Sequence, residues 1–565
     1  MGRLFLILGF CLYLSIGHAQ TKYPKDYFSN PLEIPLILSG TFGELRSNHF
    51  HSGLDIKTQK RVGFNVLSSA KGYVSRIKVS EWGYGKALYV THPNGYTTVY
   101  GHLKKFAPKI ESYVKKQQYQ KESFTIQLYP NSNELTVNQN EIIAYSGNTG
   151  GSGGPHLHYE IRDKNSKPMN PMLFGIEIPD SKNPEIRACI AYPFGSSSHI
   201  NQSNKKNILK IKRLKNGTLT TNKITAYGKI GFGVNAIDKQ DGALNNNGLF
   251  SLEMTVNGQK VYKHKVAIFS FTESRYLNTL IDYERYYDKK QRIQKCFVEP
   301  ANKLSIYSDL VNNGYLDIKD GMSYTVKITS KDVKGNSSTL IIPIKGKKDS
   351  ILVKNKKIKT SHYFKANEFN KIKQRDITVA FPKYSFYKNL PFDFKYKNNI
   401  VTLHNPNVPL HKSFTLTFDI STYPKEKRKQ LCIVRKSKRG KLYYSTTKRK
   451  ENKIYTLSKK LGNYTLVLDT IKPKIRALNF KNKQWLTKFR YLKLKISDNL
   501  SGVKFYRGEI DGKWILLEYD AKKGLLMYDF NDRKLIGKEH TLKVTVMDNV
   551  KNTNVYIATF YKKDK

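Results

Sequence analysis

Short runs of apolar and β-branched residues, separated by polar turns that contain glycine, recur along most of the chain, and this spacing predicts strands rather than helices. The clearest case is a hairpin, in which residues 87–92 and 96–100 form two β-rich runs around the turn dipeptide Asn94-Gly95. Further glycines follow one another at short intervals in the same region. We therefore predict a compact antiparallel sheet that ends near Ser166–Met172, before prolines at 179 and 184.

From about residue 185 onward, the predicted strands are linked by acidic turns, and one arrangement occurs twice. Residues 237–260 resemble residues 497–513, since both begin with an aspartate after a strand and lead to a turn that contains glycine. Each unit then closes on a strand and a similar turn, at residues 331–336 and 547–552. A repeat of this size with short strands favours immunoglobulin-like β-sandwiches.

These patterns predict a mainly β protein, in which a small antiparallel β-sheet domain precedes immunoglobulin-like β-sandwich modules. A length of 565 residues corresponds to three to five domains. The predicted divisions are a signal peptide at 1–19, a first domain at 20–180, a sandwich at 185–346, a β-rich module at 347–470 and a sandwich at 471–565.

The N-terminus predicts export. Arg3 supplies a positive charge, Leu4–Ile16 form a short apolar segment, and Gly17-His18-Ala19 ends in a small residue, as in secretory signal peptides. We expect the protein in the periplasm, in the cell envelope or outside the cell. No later apolar run is long enough to predict a transmembrane segment.

Cysteine content excludes a disulfide scaffold, because the chain has only four cysteines. Cys11 lies in the predicted signal peptide, which leaves Cys189, Cys296 and Cys432. One disulfide is possible in an oxidising compartment, and the pairing stays open.

The positive charge is concentrated in the C-terminal two-thirds. Residues 21–175 contain 19 basic and 11 acidic side chains, whereas residues 176–565 contain 78 and 33. Such a field favours anionic cell-surface polymers as partners of the C-terminal modules, although a compositional bias toward lysine explains it equally well. We expect no nucleic acid partner, since the chain has no helix-turn-helix pattern or zinc-finger spacing.

Candidate metal chemistry lies in the first region. His51 and Asp55 are four residues apart, and His156 and His158 alternate, so that on a strand their rings point to one face. His102 ends the second strand of the predicted hairpin, and a glycine-rich run at 146–155 permits close approach of a substrate backbone. Three nitrogen or oxygen ligands with a fourth position left to water are typical of catalytic zinc.

At this point the sequence resembles the LytM/lysostaphin-type zinc metallopeptidases of family M23. The resemblance covers residues 38–175 and rests on three segments in the family's order: His51-Ser-Gly-Leu-Asp55-Ile, Val99-Tyr-Gly-His102-Leu and Ser146-Gly-Asn-Thr-Gly to His156-Leu-His158-Tyr-Glu160. It implies one Zn²⁺ per chain held by His51, Asp55 and His158. It also implies His102 and His156 as catalytic histidines, and peptidoglycan stem peptides or cross-bridges as the substrate.

No HExxH glutamate is present, so histidine has to supply the acid–base chemistry, and the division of roles between His102 and His156 stays open. His49 and His92 match no ligand position. An insert at Tyr113–Leu135 either borders the groove or is a surface excursion, and we expect the second.

Two other functions stay open. One is a non-catalytic wall-binding regulator or scaffold that uses the same groove only to hold peptide. The other assigns the main function to the basic C-terminal modules, as adhesins or polyanion binders.

Overall fold

The computed structural model describes residues 23–354, 360 and 362–563. Strands account for 45% and helices for 7% of it, and the sheets are mostly antiparallel, which confirms the mainly β prediction. Within the described residues no helix is both long enough and apolar enough to span a membrane. The predicted signal peptide lies outside the described residues.

The N-terminal unit, residues 23–178, contains a nine-stranded sheet with the central order β1-β2-β11-β6-β5-β4-β8, and a three-stranded sheet β3-β10-β7. The elements are β1 Leu38–Gly40, β2 Leu54–Lys57, β3 Asn65–Leu67, β4 Gly72–Val79, β5 Lys86–Thr91, β6 Thr97–Leu103, β7 Lys105–Phe106, α1 Pro108–Gln120, β8 Ile126–Leu128, β9 Thr136–Val137, β10 Ile142–Tyr145, β11 His156–Arg162 and β12 Pro168–Met169, followed by a 3-10 turn at Pro171–Phe174.

The predicted hairpin is confirmed as β5 and β6, which pair antiparallel from Lys86↔Leu103 to Thr91↔Thr97. Gly95 adopts φ 84°, a left-handed conformation that the turn requires and that glycine adopts without strain.

The second unit, residues 185–346, forms a thirteen-stranded sheet system around one apolar cluster. Its elements are β13 Glu185–Pro193, β14 His199–Ile200, β15 Asn207–Leu209, β16 Ile211–Arg213, β17 Leu219–Thr221, β18 Ile224–Ile237, β19 Ser251–Val256, β20 Gln259–Lys265, α2 Leu277–Leu280, α3 Tyr283–Lys289, β21 Gln294–Lys295, β22 Tyr307–Ser308, β23 Leu316–Ile318, β24 Ser323–Lys331 and β25 Ser337–Gly346, with 3-10 turns at Ser274–Tyr276 and Asn312–Gly314.

The third unit, residues 362–469, packs two five-stranded sheets around a phenylalanine-rich core, beside a two-stranded ribbon. Its elements are β26 His362–Phe364, β27 Asn370–Gln374, β28 Ile377–Phe381, β29 Leu390–Phe392, β30 Phe394–Lys397, β31 Ile400–Leu403, β32 Phe414–Asp419, α4 Lys425–Arg428, β33 Leu431–Lys436, β34 Leu442–Ser445, β35 Lys448–Lys450, β36 Lys453–Ser458 and β37 Gly462–Leu468.

The fourth unit, residues 474–563, packs a four-stranded sheet and a five-stranded sheet around one core. Its strands are β38 Lys474–Ala477, β39 Gln484–Trp485, β40 Tyr491–Ser497, β41 Val503–Ile510, β42 Lys513–Ile515, β43 Glu518–Asp520, β44 Leu525–Asp529, β45 Glu539–Asp548 and β46 Thr553–Tyr561. The immunoglobulin-like assignment and the domain limits stay predictions.

The insert at Tyr113–Leu135 is not the free surface excursion that we expected. Its first part belongs to α1, where Pro108 occupies the first turn and residues 110, 114 and 118 are buried at helical spacing. Tyr119 at the end of α1 packs edge-on against Trp514 of the fourth unit, with ring centroids 5.2 Å apart. The insert therefore forms a contact between units.

The three described cysteines, Cys189, Cys296 and Cys432, are buried free thiols. Burial raises the pKa of each thiol. They act as apolar core residues rather than as reactive groups.

Candidate metal and catalytic site

Strand register brings the predicted ligands together. β11 pairs antiparallel with β2, so that His158 lies opposite Asp55, and β11 also pairs with β6, so that His158 lies opposite Gly101. His51 precedes β2 by a few residues and folds back onto the same place. Glycine at position 101 leaves room for the His158 side chain, because a Cβ on Gly101 would lie 3.3 Å from the His158 Cβ.

Three side-chain atoms form a compact triangle. His51 Nε2 lies 3.0 Å from Asp55 Oδ1 and 3.2 Å from His158 Nδ1, and the third edge, from His158 Nδ1 to Asp55 Oδ1, is 2.8 Å. Ligand atoms at about 2.0–2.1 Å from a tetrahedral zinc ion lie ~3.3 Å apart, so the triangle is close to the size that zinc requires. All three residues are buried.

The other nitrogen of each histidine ring fixes the tautomer. His51 Nδ1 lies 2.8 Å from the carbonyl oxygen of Thr41, which can only accept a hydrogen bond. Nδ1 therefore carries the proton, and the Nε2 lone pair faces the triangle. In the same way His158 Nε2 lies 2.8 Å from Glu160 Oε1, which leaves His158 Nδ1 for a metal.

Glu160 is the functional residue that sequence reasoning missed. It is fully buried, and it accepts hydrogen bonds from Ser52, Tyr84 and Arg162 as well as from His158. Burial alone would raise the pKa of Glu160, but Arg162 and His158 hold it well below its usual range. The available signal was its position two residues after His158, on the same face of the strand.

Arg46 orients the carboxylate ligand. Its guanidinium donates to Asp55 Oδ2 at 3.0 Å, which leaves Oδ1 facing the two imidazoles, and it also pairs with Glu44 at 3.1 Å. Burial opposes ionisation of Asp55, yet His51 and hydrogen bonds from His156 and His158 hold the pKa of Asp55 well below its usual value. The carboxylate is thus ionised, and its Oδ1 faces the imidazoles of His51 and His158.

The two histidines predicted as catalytic lie beside the triangle, with ring centroids 4.8 Å apart. His102 Nδ1 lies 2.8 Å from the Thr149 carbonyl, and His156 Nδ1 lies 2.8 Å from the Gly154 carbonyl. The Nε2 of His156 lies 3.4 Å from Asp55 Oδ1, at the edge of the triangle. Burial, together with His158 and His156, lowers the pKa of His102 to about 3, so that this imidazole is neutral at pH 7.

The glycine-rich run at 146–155 holds both of these rings through its carbonyl groups, and it is itself held from outside the N-terminal unit. Lys522 of the fourth unit donates to the carbonyl oxygens of Asn148 at 2.6 Å and Ser152 at 2.9 Å. A Cβ on Gly147 would collide with the backbone at His102 and Lys104. The loop conformation therefore depends on glycine and on the fourth unit.

His49 and His92 lie outside the triangle. His92 is buried with both ring nitrogens hydrogen-bonded, to the Lys71 carbonyl and to Thr98. His49 bonds the Ser47 carbonyl. Neither ring supplies a ligand atom to the site.

A small antiparallel sheet that holds two histidines and an aspartate at metal-ligand spacing, with two more histidines beside them, defines a class of domain suited to metal-assisted hydrolysis. The sequence comparison agrees. Residues 49–119 and 127–171 match the model of peptidase family M23, which confirms the predicted resemblance of this region to the family. The residues left out, 120–126, fall inside the insert.

Curated relatives match the same region. The chain is 32% identical over 136 residues to the DD-carboxypeptidase/endopeptidase Mpg of Neisseria meningitidis, covering 24% of this chain and 25% of that protein. It is 30% identical over 155 residues to the cell division protein DipM of Caulobacter vibrioides, covering 26% and 21%. The chain thus spans about a quarter of the length of the curated relatives it matches.

Solved structures of low overall similarity are also matched. The catalytic domain of lysostaphin from Staphylococcus simulans is 21% identical, with 24% of this chain and 90% of that chain covered and a TM-score of 0.18. The catalytic domain of EnpA from Enterococcus faecalis is 21% identical, with 26% and 98% covered and a TM-score of 0.20. Family membership rests on the sequence matches.

The third unit has a match of its own. Residues 361–469 match the model of the Zu5-like domain. From the sequence we predicted a β-rich module at 347–470, without a family for this interval.

Proposed function

We propose that this protein is a zinc-dependent endopeptidase that hydrolyses peptide bonds in peptidoglycan stem peptides or cross-bridges. One observation carries the proposal: His51, Asp55 and His158 form a triangle of zinc-ligand size beside two uncoordinated histidines, within a domain of peptidase family M23. The names of the relatives, an endopeptidase and a cell division protein, support a cell-wall substrate.

The residues fit the metal that the family implies. His51, Asp55 and His158 would hold the ion, and Thr41, Arg46 and Glu160 would orient those ligands. A bound zinc ion supplies a Lewis acid and lowers the pKa of a bound water toward about 7.

His102 and His156 supply the proton transfers. Each ring donates through Nδ1 to a loop carbonyl, which leaves the Nε2 lone pair for proton transfer. One accepts a proton from the attacking water, and the other donates a hydrogen bond to the developing oxyanion or a proton to the leaving amine. The assignment of the two roles stays open, since both rings lie beside the triangle with Nδ1 bonded to a loop carbonyl.

We also propose an envelope or extracellular location, supported by the N-terminal sequence and by the cell-wall relatives. The positive charge of residues 176–565 supports anionic cell-surface polymers as further partners.

The test is digestion of purified sacculi by the mature, zinc-loaded protein, with mass spectrometry of the released fragments. His158→Ala removes a ligand, so we expect loss of both zinc and fragment release. His49→Ala is the matched control, because His49 lies two residues from His51 and its ring bonds the Ser47 carbonyl rather than the triangle.

Fragment release by the wild type and by His49→Ala, but not by His158→Ala, would support the enzyme, and the fragment masses would identify the bond. Equal release by all three proteins would contradict the zinc mechanism. Sacculus binding without release by a zinc-loaded wild type would instead favour the non-catalytic wall-binding alternative.

A further inference from the structure

Two clusters of aspartates, each with two buried members and one half-buried member, lie at junctions between units of the chain. The first aspartate cluster is Asp180, Asp238 and Asp332, and the second is Asp469, Asp498 and Asp548. In each cluster, one oxygen from every carboxylate lies within 4.8 Å of the others. Asp180 lies between the N-terminal and second units, and Asp469 lies between the third and fourth units.

The two clusters share one local architecture. In the first, the Asn336 side chain donates to Asp332 Oδ2 at 2.7 Å and to the carbonyl oxygen of Asp180 at 3.1 Å. In the second, the Asn552 side chain donates to Asp548 at 2.7 Å and to the carbonyl oxygen of Asp469 at 2.9 Å.

The remaining aspartate of each cluster also occupies an equivalent place. Asp238 directly follows β18, and Asp498 directly follows β40. The same arrangement of three carboxylates therefore occurs twice. Its members at 238, 332, 498 and 548 lie in the segments that the sequence analysis found to be similar.

Four of these six aspartates are buried, and Asp180 and Asp498 are half-buried. Asp238 is 3% exposed and Asp332 4%, and Asp469 is 1% exposed and Asp548 0%. Among residues 23–354, 360 and 362–563, no Lys or Arg forms a salt bridge with any of the six aspartates. Burial and the nearby Asp180 and Asp332 raise the pKa of Asp238 to about 8. Like charges enclosed in this way are unfavourable unless a cation joins them.

Unpartnered buried oxygens point into the first aspartate cluster. Gln240 is 2% exposed, its Oε1 has no hydrogen-bond partner, and it lines the same small cavity as the three aspartates. Asp238 Oδ1 is likewise unpartnered. A buried amide oxygen without a donor is a costly feature in a folded protein, and a cation ligated by it removes that cost.

The second aspartate cluster has the same property. Asp469 Oδ1, Asp498 Oδ1 and the hydroxyl of Ser501 are buried and unpartnered, and Ser501 is 3% exposed. The Ser501 amide donates to Asp469 Oδ2 at 3.0 Å, which keeps this serine beside the carboxylates.

We propose that each aspartate cluster binds one calcium ion that fixes the junction between two units. All of the donor atoms are oxygens, which suits a hard cation rather than zinc. Calcium accepts six to eight oxygen ligands in flexible geometry, and it therefore fits irregular clusters of carboxylate, amide and hydroxyl groups better than magnesium does. The proposal does not rest on peptidase activity.

The test uses the full mature chain, loaded with zinc and dialysed into calcium-free buffer, with calcium titrated by calorimetry and both metals counted by mass spectrometry. We expect two calcium ions per wild-type chain, one for Asp238→Asn, one for Asp498→Asn and none for the double variant. The matched control is Asp317→Asn, because Asp317 is exposed and pairs with Lys319, and it should keep both ions.

Thermal unfolding separates loss of a metal site from simple misfolding. Calcium should raise the Tm of the wild type, and this rise should shrink in each single variant and vanish in the double variant. Without calcium, each variant should unfold at the wild-type temperature or above it, because one carboxyl group is removed from a crowded acidic cluster.

Three results would overturn the proposal: no calcium bound by the wild type at millimolar concentration, unchanged binding by both variants, or variants that are less stable than the wild type without calcium. Equal affinity for magnesium would overturn the assignment to calcium. Zinc content is counted in the same experiment, so failure here is distinguishable from failure of the proposed peptidase site.

Discussion

At the scale of single residues, Glu160 connects the triangle of His51, Asp55 and His158 to the rest of the domain. It accepts from His158 Nε2, and its second oxygen pairs with Arg162 at 2.6 Å, so that the buried negative charge is balanced. A histidine ligand whose other nitrogen donates to a carboxylate is held in one orientation and is a stronger metal ligand.

Replacement of this carboxylate should weaken metal binding. Glu160→Gln keeps the shape of the side chain and removes the charge, and we expect zinc affinity to fall about 10- to 100-fold, as for other residues that orient a metal ligand. Competition against a zinc-chelating dye measures the affinity. Glu177→Gln, at an exposed position, is the control and should bind zinc like the wild type.

At the scale of secondary structure, the site depends on how closely β2 and β11 approach. Gly53, directly before β2, permits this close approach, since a Cβ there would collide with the Tyr159 carbonyl and lie 2.8 Å from the Glu160 side chain. A methyl group at this position has to push the two strands apart.

Gly53→Ala should therefore disturb the metal triangle through the backbone. We expect a loss of about 1–3 kcal/mol in the free energy of unfolding, together with weaker zinc binding, because overpacking moves β11 and with it His158. Chemical denaturation and zinc titration measure the two effects. Gly153→Ala is the control, since nothing lies within 4 Å of a Cβ there, and a similar loss in both variants would refute the argument.

Local patterns in the sequence were sufficient for the β5–β6 hairpin and for the shared face of His156 and His158, because turn dipeptides and strand alternation are short-range signals. They also placed His51, Asp55 and His102 in one site, through resemblance. Glu160 was missed because its role depends on the packing of Tyr84 and Arg162, which strand alternation does not reveal. The helix at Pro108–Gln120 was missed because it packs, through Tyr119, against Trp514, a residue nearly 400 positions away in sequence.

At the scale of the whole molecule, the fourth unit contributes to the core of the N-terminal unit. Trp514 and Leu516 belong to the same buried apolar cluster as the strands around the site. Buried Lys86 pairs with Glu518 at 2.9 Å, and Lys115 pairs with Asp532. The first and last units of the chain are thus packed together as partners.

Removal of this contact should destabilise the catalytic part of the chain from a distance. We expect Trp514→Ala to lower the free energy of unfolding by about 3–5 kcal/mol, since a large buried side chain is lost. Calorimetry of the full chain measures the loss, and Trp485→Ala, at a position that is 49% exposed, is the control. Equal effects of the two substitutions would mean that the contact contributes nothing specific.

Thr41 links the site to the second unit of the chain. Its carbonyl fixes the tautomer of His51, and its hydroxyl accepts from the Gly248 amide of the second unit at 3.0 Å. The stretch that matches the family ends at residue 171, so a fragment cut there keeps every ligand and loses a support of the first one. If the fragment hydrolyses its substrate slowly, we expect the cause to be a less rigid His51 rather than a missing ligand. The segment needed for full activity would then extend beyond the segment that matches the family.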